Sequence, residues 1–292
     1  MPSFRGLLAA FALPFLAGHA SAASLRMEAS TAWAENITRA TGAADWRDSF
    51  RHELGLSAAE AREWRTGFLT RAEAGVRNTY LASFPHLSSV SAGLNVQARQ
   101  KFGLGALAPS IAVEAGLWRR DTRFDADDGW VGSLGLTASR RINSAWRAAA
   151  GVDWENAWSR RPMFDTRHHR AFGTVAWDVS DRWQVSAGRG RQWGEFTTNA
   201  SPGAWQRAIT GGAGADVAAY YLTTARGPVG AFGPAWVSYR VRGRVDSWWA
   251  ELAPALGANA SLPLRYESFL AENKVGVRYR QDVWTLRYLQ RF

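Results

Sequence analysis

Apolar and polar residues alternate along most of this chain, in segments of about ten to fifteen residues that each end in turn-forming residues. In residues 90–102, Val90, Leu94 and Val96 share one face, and polar side chains occupy the other. The same pattern recurs in residues 111–120, 130–139, 146–155 and 237–246. A period of two is typical of a β-strand with one apolar face. The chain is therefore predicted to be an all-β protein of long antiparallel strands.

Alternation alone fits two architectures. In a soluble sandwich the apolar faces meet inside, whereas in a membrane barrel the apolar face contacts lipid and the polar face lines the lumen. The length of the segments favours the barrel, because a strand of about 9–11 residues crosses a bilayer. We predict a transmembrane antiparallel β-barrel with apolar side chains outside.

The clear segments predict 12 strands. Near the C-terminus the alternation shifts by one residue. The residues Val277 and Tyr279 are at odd-numbered positions, whereas Leu286 and Tyr288 are at even-numbered positions. A bulge or a tight turn at Gln281 would explain the slip. A turn would give 14 strands, which is also an even number, as is usual for single-chain bacterial barrels.

The N-terminus has the three parts of a secretory signal. Arg5 supplies the positive charge, residues 6–18 form a short apolar run, and Ala20-Ser21-Ala22 is a small-residue cleavage site. The apolar run is shorter than the roughly 20 residues of a membrane-spanning helix. We predict a signal peptide over residues 1–22 and a single barrel domain over residues 23–292.

Composition excludes several classes of protein. The chain has no cysteine, which excludes a disulfide scaffold and any thiolate metal site. Its net charge of +10 would suit a nucleic-acid-binding protein, but the export signal argues against nucleic acid as a partner. The 16 tryptophans and 7 tyrosines suit a membrane–water interface, where an apolar ring meets a wet edge.

The last strand carries a family resemblance. Its final residues place Trp284, Leu286, Tyr288, Gln290 and Phe292 on one face. This resembles the C-terminal signature of bacterial outer-membrane β-barrel proteins, which end in Phe with an aromatic residue upstream on the same face. The resemblance implies location in the outer membrane of a Gram-negative bacterium, contact with its lipid and lipopolysaccharide, and recognition by the barrel-assembly machinery through Tyr288 and Phe292. Gln290 departs from the usual apolar residue.

The connections divide into two kinds. Asn143-Ser144 and Ser180-Asp181 are predicted to be tight periplasmic turns, and residues 160–167 and 195–214 are longer and suit extracellular loops. The acidic residues 121–129 are expected on the extracellular side as well. Residues 56–64 begin with a capping box, Ser57 with Glu60, and are predicted to form a helical turn or a small plug.

Arginines on the polar faces are the first candidates for function. On one strand face, Arg240, Arg242 and Arg244 precede Asp246, and Arg71, Arg77 and Arg99 lie on the polar faces of earlier strands. Arginines inside a pore attract anions and bias conduction toward them. The alternative is that they pair with acidic residues and brace the barrel wall. The sequence leaves both open.

The second candidate is His86-Leu87-Ser88. On one strand the two polar residues would share the lipid-side face, with Asn78 opposite them across the hairpin. This resembles the His-x-Ser arrangement of outer-membrane phospholipases and lipid A deacylases, in which Ser attacks an acyl ester and His takes its proton. The rest of the chain does not resemble either family. The alternative is a loop-end histidine and a hydroxyl group at the lipid headgroups.

No cofactor or metal is predicted. The adjacent His168 and His169, with Asp165 nearby, would point to opposite faces of a strand, so they do not suit one ion. We predict a pore or transport channel for small solutes, or an export conduit for an anionic product such as a polysaccharide. The alternatives are an acyl-ester hydrolase and a non-conducting structural or adhesive barrel that binds a partner through the loop carrying Trp205.

Overall fold

The computed structural model describes residues 23–210, 230–233, 235–273 and 277–292, so the predicted signal peptide lies outside the described residues. The described part contains thirteen strands and one α-helix. The strands are β1 (Ser24–Ala34), β2 (Ser49–Arg65), β3 (Phe68–Leu81), β4 (Ser89–Lys101), β5 (Ser110–Thr122), β6 (Gly129–Arg141), β7 (Trp146–Ser159), β8 (Thr166–Ser180), β9 (Trp183–Ala200), β10 (Val237–Pro254), β11 (Ala260–Ser261), β12 (Leu264–Asn273) and β13 (Arg278–Arg291). The helix is α1 (Pro202–Thr210).

Twelve of the strands close into an antiparallel barrel. Each strand pairs with its neighbour in the chain, and β10 pairs with β12 because the two-residue β11 lies in the turn between them and pairs with β13. The first and last strands close the sheet, in a register that runs from Arg26 opposite Arg291 to Ala34 opposite Val283. Closure leaves no sheet edge with unpaired N–H and C=O groups, which a bilayer would not tolerate. The predicted 12-stranded barrel is confirmed.

Residues 56–64 are strand and not helix. They belong to β2, which pairs with β3 from Arg51 opposite Leu81 to Arg65 opposite Phe68. Leu54 and Leu56 continue the alternation and point outward, each about half exposed. The capping box at Ser57 was the misleading signal, because pairing on both sides of β2 outweighs the weak helical preference of a short Ala-rich segment. The prediction of a helical turn is wrong.

The outer surface of the barrel is apolar. On successive strands the exposed side chains are the apolar ones of the alternating pattern. They form a band around the barrel that includes Leu94, Val96, Ile111, Val113, Leu117, Leu134, Leu136, Val175, Val185, Leu252, Leu264 and Leu286. Two stacked rings, Trp146 and Trp177, lie in this surface where β7 and β8 approach the periplasmic turns, with ring centroids 5.6 Å apart.

Two tryptophans lie on the inner surface and fold flat against the wall. Trp118 covers Gly93 of the neighbouring strand, and Trp249 covers Gly188. A Cβ atom at residue 188 would lie 2.6 Å from the Trp249 ring, and one at residue 93 would overlap the Trp118 ring. These two positions require glycine because the rings would otherwise be pushed toward the barrel axis.

At the extracellular ends of β10 and β13 the apolar face turns inward. Val241 and Val245 are buried inside the barrel, as are Val277 and Tyr279. With Phe196 and Ala271 they form an apolar cluster that Trp205 of α1 and Phe269 also contact. The slip in alternation near Gln281 is therefore neither a bulge nor a turn, because β12 and β13 pair without a shift past this residue.

Helix α1 follows β9 at the extracellular end. Its Trp205 ring lies 5.3 Å from the ring of Tyr239, inside the apolar cluster. Among the residues that the structure describes, no helix is long and apolar enough to cross a membrane.

The apolar cluster should hold the extracellular end of the barrel together. Val241→Asp places a carboxylate where the native side chain has no exposed surface, at a cost of several kcal/mol. We expect trypsin to cut the extracellular loops of this variant at least about tenfold faster, while the apolar band keeps the barrel in detergent. Gln97→Asp, which adds the same charge to the half-exposed inner wall, is the control and should be cut like the wild type. Equal cutting of the wild type and Val241→Asp would contradict the role given to the cluster.

Candidate functional site

The arginines of β10 are on the outer surface of the barrel. Arg242 and Arg244 share a strand face with Trp248 and Leu252, which are exposed on the outside, whereas Val241 and Val245 are buried inside. Arg240 and Asp246 have the same outward parity. The prediction that these four residues line the lumen is wrong. Apolar residues would face outward along the whole of β10 if lipid surrounded all of it. At the extracellular end of β10, however, the apolar face packs inside the barrel.

The earlier strands place their arginines inside, as their parity predicts. Arg71 forms an ion pair with Glu73 at 2.6 Å, and both lie on the inner face of β3. Arg77, on the same face, lies over the ring of Trp118 at 5.7 Å from the ring centroid. Arg99 is on the inner face of the adjacent β4. Neither Arg77 nor Arg99 forms an ion pair with a residue that the structure describes.

Most other inward arginines are paired with carboxylates. Several pairs join residues two apart on one strand, and others join neighbouring strands or, for Arg141–Asp178, strands on either side of β7. They are Arg26–Glu28, Arg287–Glu28, Arg51–Glu53, Arg141–Asp178, Arg170–Asp153 and Arg265–Glu267. These pairs brace the wall and cancel much of the interior charge. Among the described residues, Arg77 and Arg99 stay outside such pairs, and so do the inward carboxylates Glu114 and Glu251.

The connection between β1 and β2, residues 35–48, folds inward. We call this segment the inner loop. Its Thr38 carbonyl accepts a hydrogen bond from Asn199 Nδ2 at 2.8 Å, and its Asp45 carboxylate accepts one from the backbone N–H of Ser201 at 3.0 Å. Asn36 is fully buried and donates to the carbonyl of Arg280 at 2.9 Å. These bonds fix the inner loop to β9 and β13, so it narrows the extracellular mouth.

The tip of the inner loop presents Arg39 to the opposite wall. Arg39 has a positive φ of 54°, a left-handed conformation that costs a non-glycine residue about 1 kcal/mol. Its carbonyl accepts a hydrogen bond from Thr198, which holds this conformation. The positive charge of the Arg39 guanidinium interacts electrostatically with Asp127, His168 and Tyr279. The mouth therefore brings one loop cation close to groups from three separate parts of the barrel.

On the facing wall, Asp127 belongs to the short 3-10 turn between β5 and β6 and pairs with Arg120 at 2.5 Å. Burial raises the pKa of Asp127 from 3.8 to about 6, and the positive charges of Arg120 and Arg39 only partly oppose this rise. The carboxyl is therefore mostly protonated below about pH 6. Because the folded state favours the neutral form, its contribution to stability is full below pH 3.8 and is lost as the pH rises through about 6.

Two buried polar atoms at the mouth have no hydrogen-bond partner among the described residues. The Nε of Arg120 and the Nδ1 of His168 are both shielded and make no hydrogen bond there, although His168 Nε2 lies 3.8 Å from Glu155. A buried polar atom without a partner costs free energy, so such atoms are usually satisfied by water or by a ligand. We call Arg39, Arg120, Asp127, Glu155 and His168 the mouth cluster. The side chains of the mouth cluster can form hydrogen bonds and ion pairs with a solute.

The structure does not bring His86 and Ser88 together as a base and a nucleophile. His86 lies in a 3-10 turn, Pro85–Leu87, and its Nε2 contacts the carbonyl of Ala231 at 2.6 Å. Ser88 is buried, and its Oγ accepts the backbone N–H of Leu81 at 3.1 Å. The prediction that they share a lipid-facing strand face with Asn78 opposite is wrong, because the strand begins only at Ser89 and Asn78 pairs with Val90.

Aromatic rings link the extracellular loops. His86 contacts the rings of Phe84 and Phe124, and Phe124 contacts Phe164 at 5.8 Å between centroids. Phe232 joins the same group through Phe84 at 5.1 Å. His86 therefore packs among loops. Trp205, proposed as part of a partner-binding loop, packs inward on Tyr239 instead.

The adjacent histidines point to opposite faces, as predicted. His169 stacks outside on Trp193 with centroids 5.4 Å apart, and His168 points into the mouth. The carboxylate of Asp165 accepts the backbone N–H of Ser159. Among the described residues, no three His, Asp or Glu side chains are grouped to hold a metal ion.

The C-terminal face has the geometry that the signature requires. Trp284, Leu286 and Phe292 are all exposed on the outside of β13, and Tyr288 shares their parity and donates to Gln290 at 2.8 Å. The role of Tyr288 and Phe292 in barrel assembly stays a prediction.

Sequence reasoning missed the inner loop and the mouth cluster. The loop residues 35–48 carry no strong motif, and Asp127 was one acidic residue among several in residues 121–129. One signal was present. The inverted parity of Val237 to Val245 and of Val277 and Tyr279 shows that apolar surface faces inward at the extracellular end, which requires something to cover it.

Comparisons with known proteins find structural likeness only. No protein-family model matches the chain, and no curated protein matches its sequence. An outer-membrane channel from Pseudomonas putida F1 superposes with a TM-score of 0.57 at 11% identity, over 94% of this chain and 97% of that one. The DcaP channel of Acinetobacter baumannii gives 0.44 at 10% identity, over 95% and 100%, and the P. putida toluene transporter TodX gives 0.44 at 9%, over 94% and 91%.

At such low sequence identity the likeness shows the fold alone. It rests on the Pseudomonas putida F1 channel, whose TM-score of 0.57 is the highest of the three. The closed barrel with its apolar outer band agrees with it independently. This protein is a closed 12-stranded antiparallel β-barrel with an apolar outer band, and its fold is similar to that of a bacterial outer-membrane channel.

Proposed function

We propose that the protein is a diffusion channel for small hydrophilic solutes that favours anions and is narrowed by the inner loop. The observation that carries this proposal is a water-accessible, charged interior within a closed barrel. On the inner wall, the side chain of Arg71 near the periplasmic end of β3 is 39% exposed, and that of Asp153 in the middle of β7 is 33% exposed, although both are ion-paired. Solvent therefore reaches the middle of the lumen.

The size of the barrel supports passage of small molecules. Twelve strands spaced about 4.8 Å apart and tilted about 40° give a barrel roughly 24 Å across between backbones. Inward side chains from both walls take up much of this width, and the inner loop narrows one end. A long polymer would have to displace the inner loop, so small solutes suit the lumen better than a polysaccharide export role.

The preference for anions rests on an excess of inward cations. Glu28 faces both Arg26 and Arg287, Asp178 faces both Arg141 and Arg147, and further cations lie outside ion pairs. Arg77 and Arg99 lie on the inner faces of β3 and β4, and Arg39 projects from the inner loop. Within the low-dielectric wall of a pore, unpaired cations raise the local concentration of anions. Arg71 is largely neutralised by Glu73 and contributes mainly to the bracing of the wall.

Neutralising the two inner arginines should weaken this preference. We expect the wild-type barrel to give discrete conductance steps in a planar bilayer, with a reversal potential in a salt gradient that reports anion preference. Arg77→Gln with Arg99→Gln should lower the anion-to-cation permeability ratio by roughly twofold or more, because two uncompensated charges are lost.

The matched control is Arg242→Gln with Arg244→Gln, which removes the same charge from the outer surface and should leave the ratio unchanged. A correctly inserted wild-type barrel with no conductance would overturn the channel proposal. Equal effects of the two double variants would overturn the selectivity assigned to Arg77 and Arg99.

The anion preference should also depend on pH. Below about pH 6 the Asp127 carboxyl is neutral, so the mouth cluster becomes more positive and the anion preference should rise between pH 7.5 and pH 5. Asp127→Asn should show the stronger preference at both pH values. The control is Asp125→Asn in the same turn, where the side chain is well exposed, and it should titrate like the wild type. An unchanged pH response in Asp127→Asn would contradict the role of this carboxyl.

A further inference from the structure

A group of charged side chains lies on the outer surface of the barrel near its extracellular end. It spans four neighbouring strands, β9, β10, β12 and β13. Its members are Arg189, Arg191, Arg244, Asp246, Glu272, Arg278, Arg280 and Asp282. Charged groups on the lipid-facing surface of a barrel are costly unless they lie at the headgroups or bind a partner, so this group requires an explanation that the lumen does not supply.

The charged group surrounds a surface groove of about 550 Å³. Arg189, Arg278 and Arg280 line it together with Asp246, and Trp248 and Leu270 supply an apolar part of its lining. Three guanidinium groups against one carboxylate give the groove a net positive charge. The groove therefore combines cationic and apolar lining, which suits an amphiphile with an anionic head.

The position of the groove matches the lipid headgroups. The rings of Trp248, Tyr266 and Trp284 form a continuous row on the outer surface, with centroid separations of 5.0 and 4.7 Å. Such rows mark the membrane–water interface. Arg280 precedes Trp284 by four residues, so it lies about 13 Å further along the strand toward the extracellular end. Arg189 is paired opposite Trp248. The groove thus extends from the level of the aromatic row toward the extracellular end.

The acidic residues of the group leave the groove arginines available. Asp246 is held by Arg191 at 2.6 Å and by Arg244 at 3.1 Å. Arg278 and Arg280 pair with Glu272 and Asp282 at 3.3 and 3.0 Å, but their side chains remain 68% and 60% exposed. Exposed pairs of this kind are weak. Arg189 forms no ion pair with any described residue.

We propose that this groove binds a phosphate group of lipopolysaccharide, the anionic glycolipid of the outer leaflet. The planar guanidinium fork binds phosphate oxygens in pairs, which favours arginine for this task. Trp248 and Leu270 contact the first part of an acyl chain, and Arg189, Arg278 and Arg280 contact the phosphate. The site is separate from the lumen, so it does not depend on the channel proposal.

The test is a lipid titration of the purified full barrel in detergent, followed by native mass spectrometry. The probes are bisphosphorylated lipid A, the same lipid without its phosphates, and phosphatidylglycerol. We expect the wild type to bind bisphosphorylated lipid A at least about tenfold more tightly than the dephosphorylated form, and Arg189→Gln with Arg278→Gln to lose this difference.

Arg62→Gln with Arg65→Gln is the charge-matched control, because these two arginines lie over Trp64 and Phe68 at the opposite end of the barrel exterior, and it should bind like the wild type. If the double variant and the wild type bind lipid A equally, the proposal is overturned. If phosphatidylglycerol binds as tightly as lipid A and is lost in the same variant, the assignment to lipopolysaccharide is overturned.

Two further readings keep the result unambiguous. Heat-modifiable migration on a gel checks that each variant is a folded barrel. If the double variant does not fold, Arg189→Gln alone is tested, since Arg189 forms no ion pair within the described part of the chain. The conductance of the double variant should match that of the wild type. If the double variant loses both its conductance and its lipid binding, these arginines stabilise the barrel as a whole. That result would overturn the proposal of a local lipid site.

Discussion

Everything in this molecule depends on satisfying backbone hydrogen bonds in a medium without water. The pairing of β1 with β13 removes the sheet edges, and it does so by bringing the two ends of the domain together. Once the sheet is closed, the side-chain alternation of each strand must divide into an outer and an inner population. The apolar outer band and the charged inner wall are two results of the same closure.

Along the height of the barrel, the rule that apolar residues face outward changes. Beside the lipid tails, Leu94 and Val113 face outward. At the extracellular end the exterior is polar, and the inner loop offers a dry interior surface. Val241 and Tyr279 accordingly face inward there, and the arginines of β10 face outward. The environment on each side of the wall, and not the strand itself, decides whether the inward or the outward side chains are apolar.

This change explains which features the sequence could predict. Strand number, closure and the positions of Arg71, Arg77 and Arg99 follow from alternation, because those strands lie beside lipid for most of their length. Arg240 to Asp246 were misplaced because parity was carried into a region where the solvent differs. The inner loop could not be predicted, since Arg39 and Asp127 meet only through tertiary folding, and the capping box at Ser57 is a local signal that strand pairing overrides.

The two glycines beneath the inward tryptophans affect the width of the lumen. Gly93 and Gly188 lie five strands apart in the closed sheet, and each lets an indole ring lie flat against the wall. A Cβ atom at either position would contact this ring and also a backbone oxygen of the neighbouring strand, so even alanine would displace the ring from the wall. Substitutions at these two inner positions would therefore change the width of the lumen and leave the lipid-facing surface as it is.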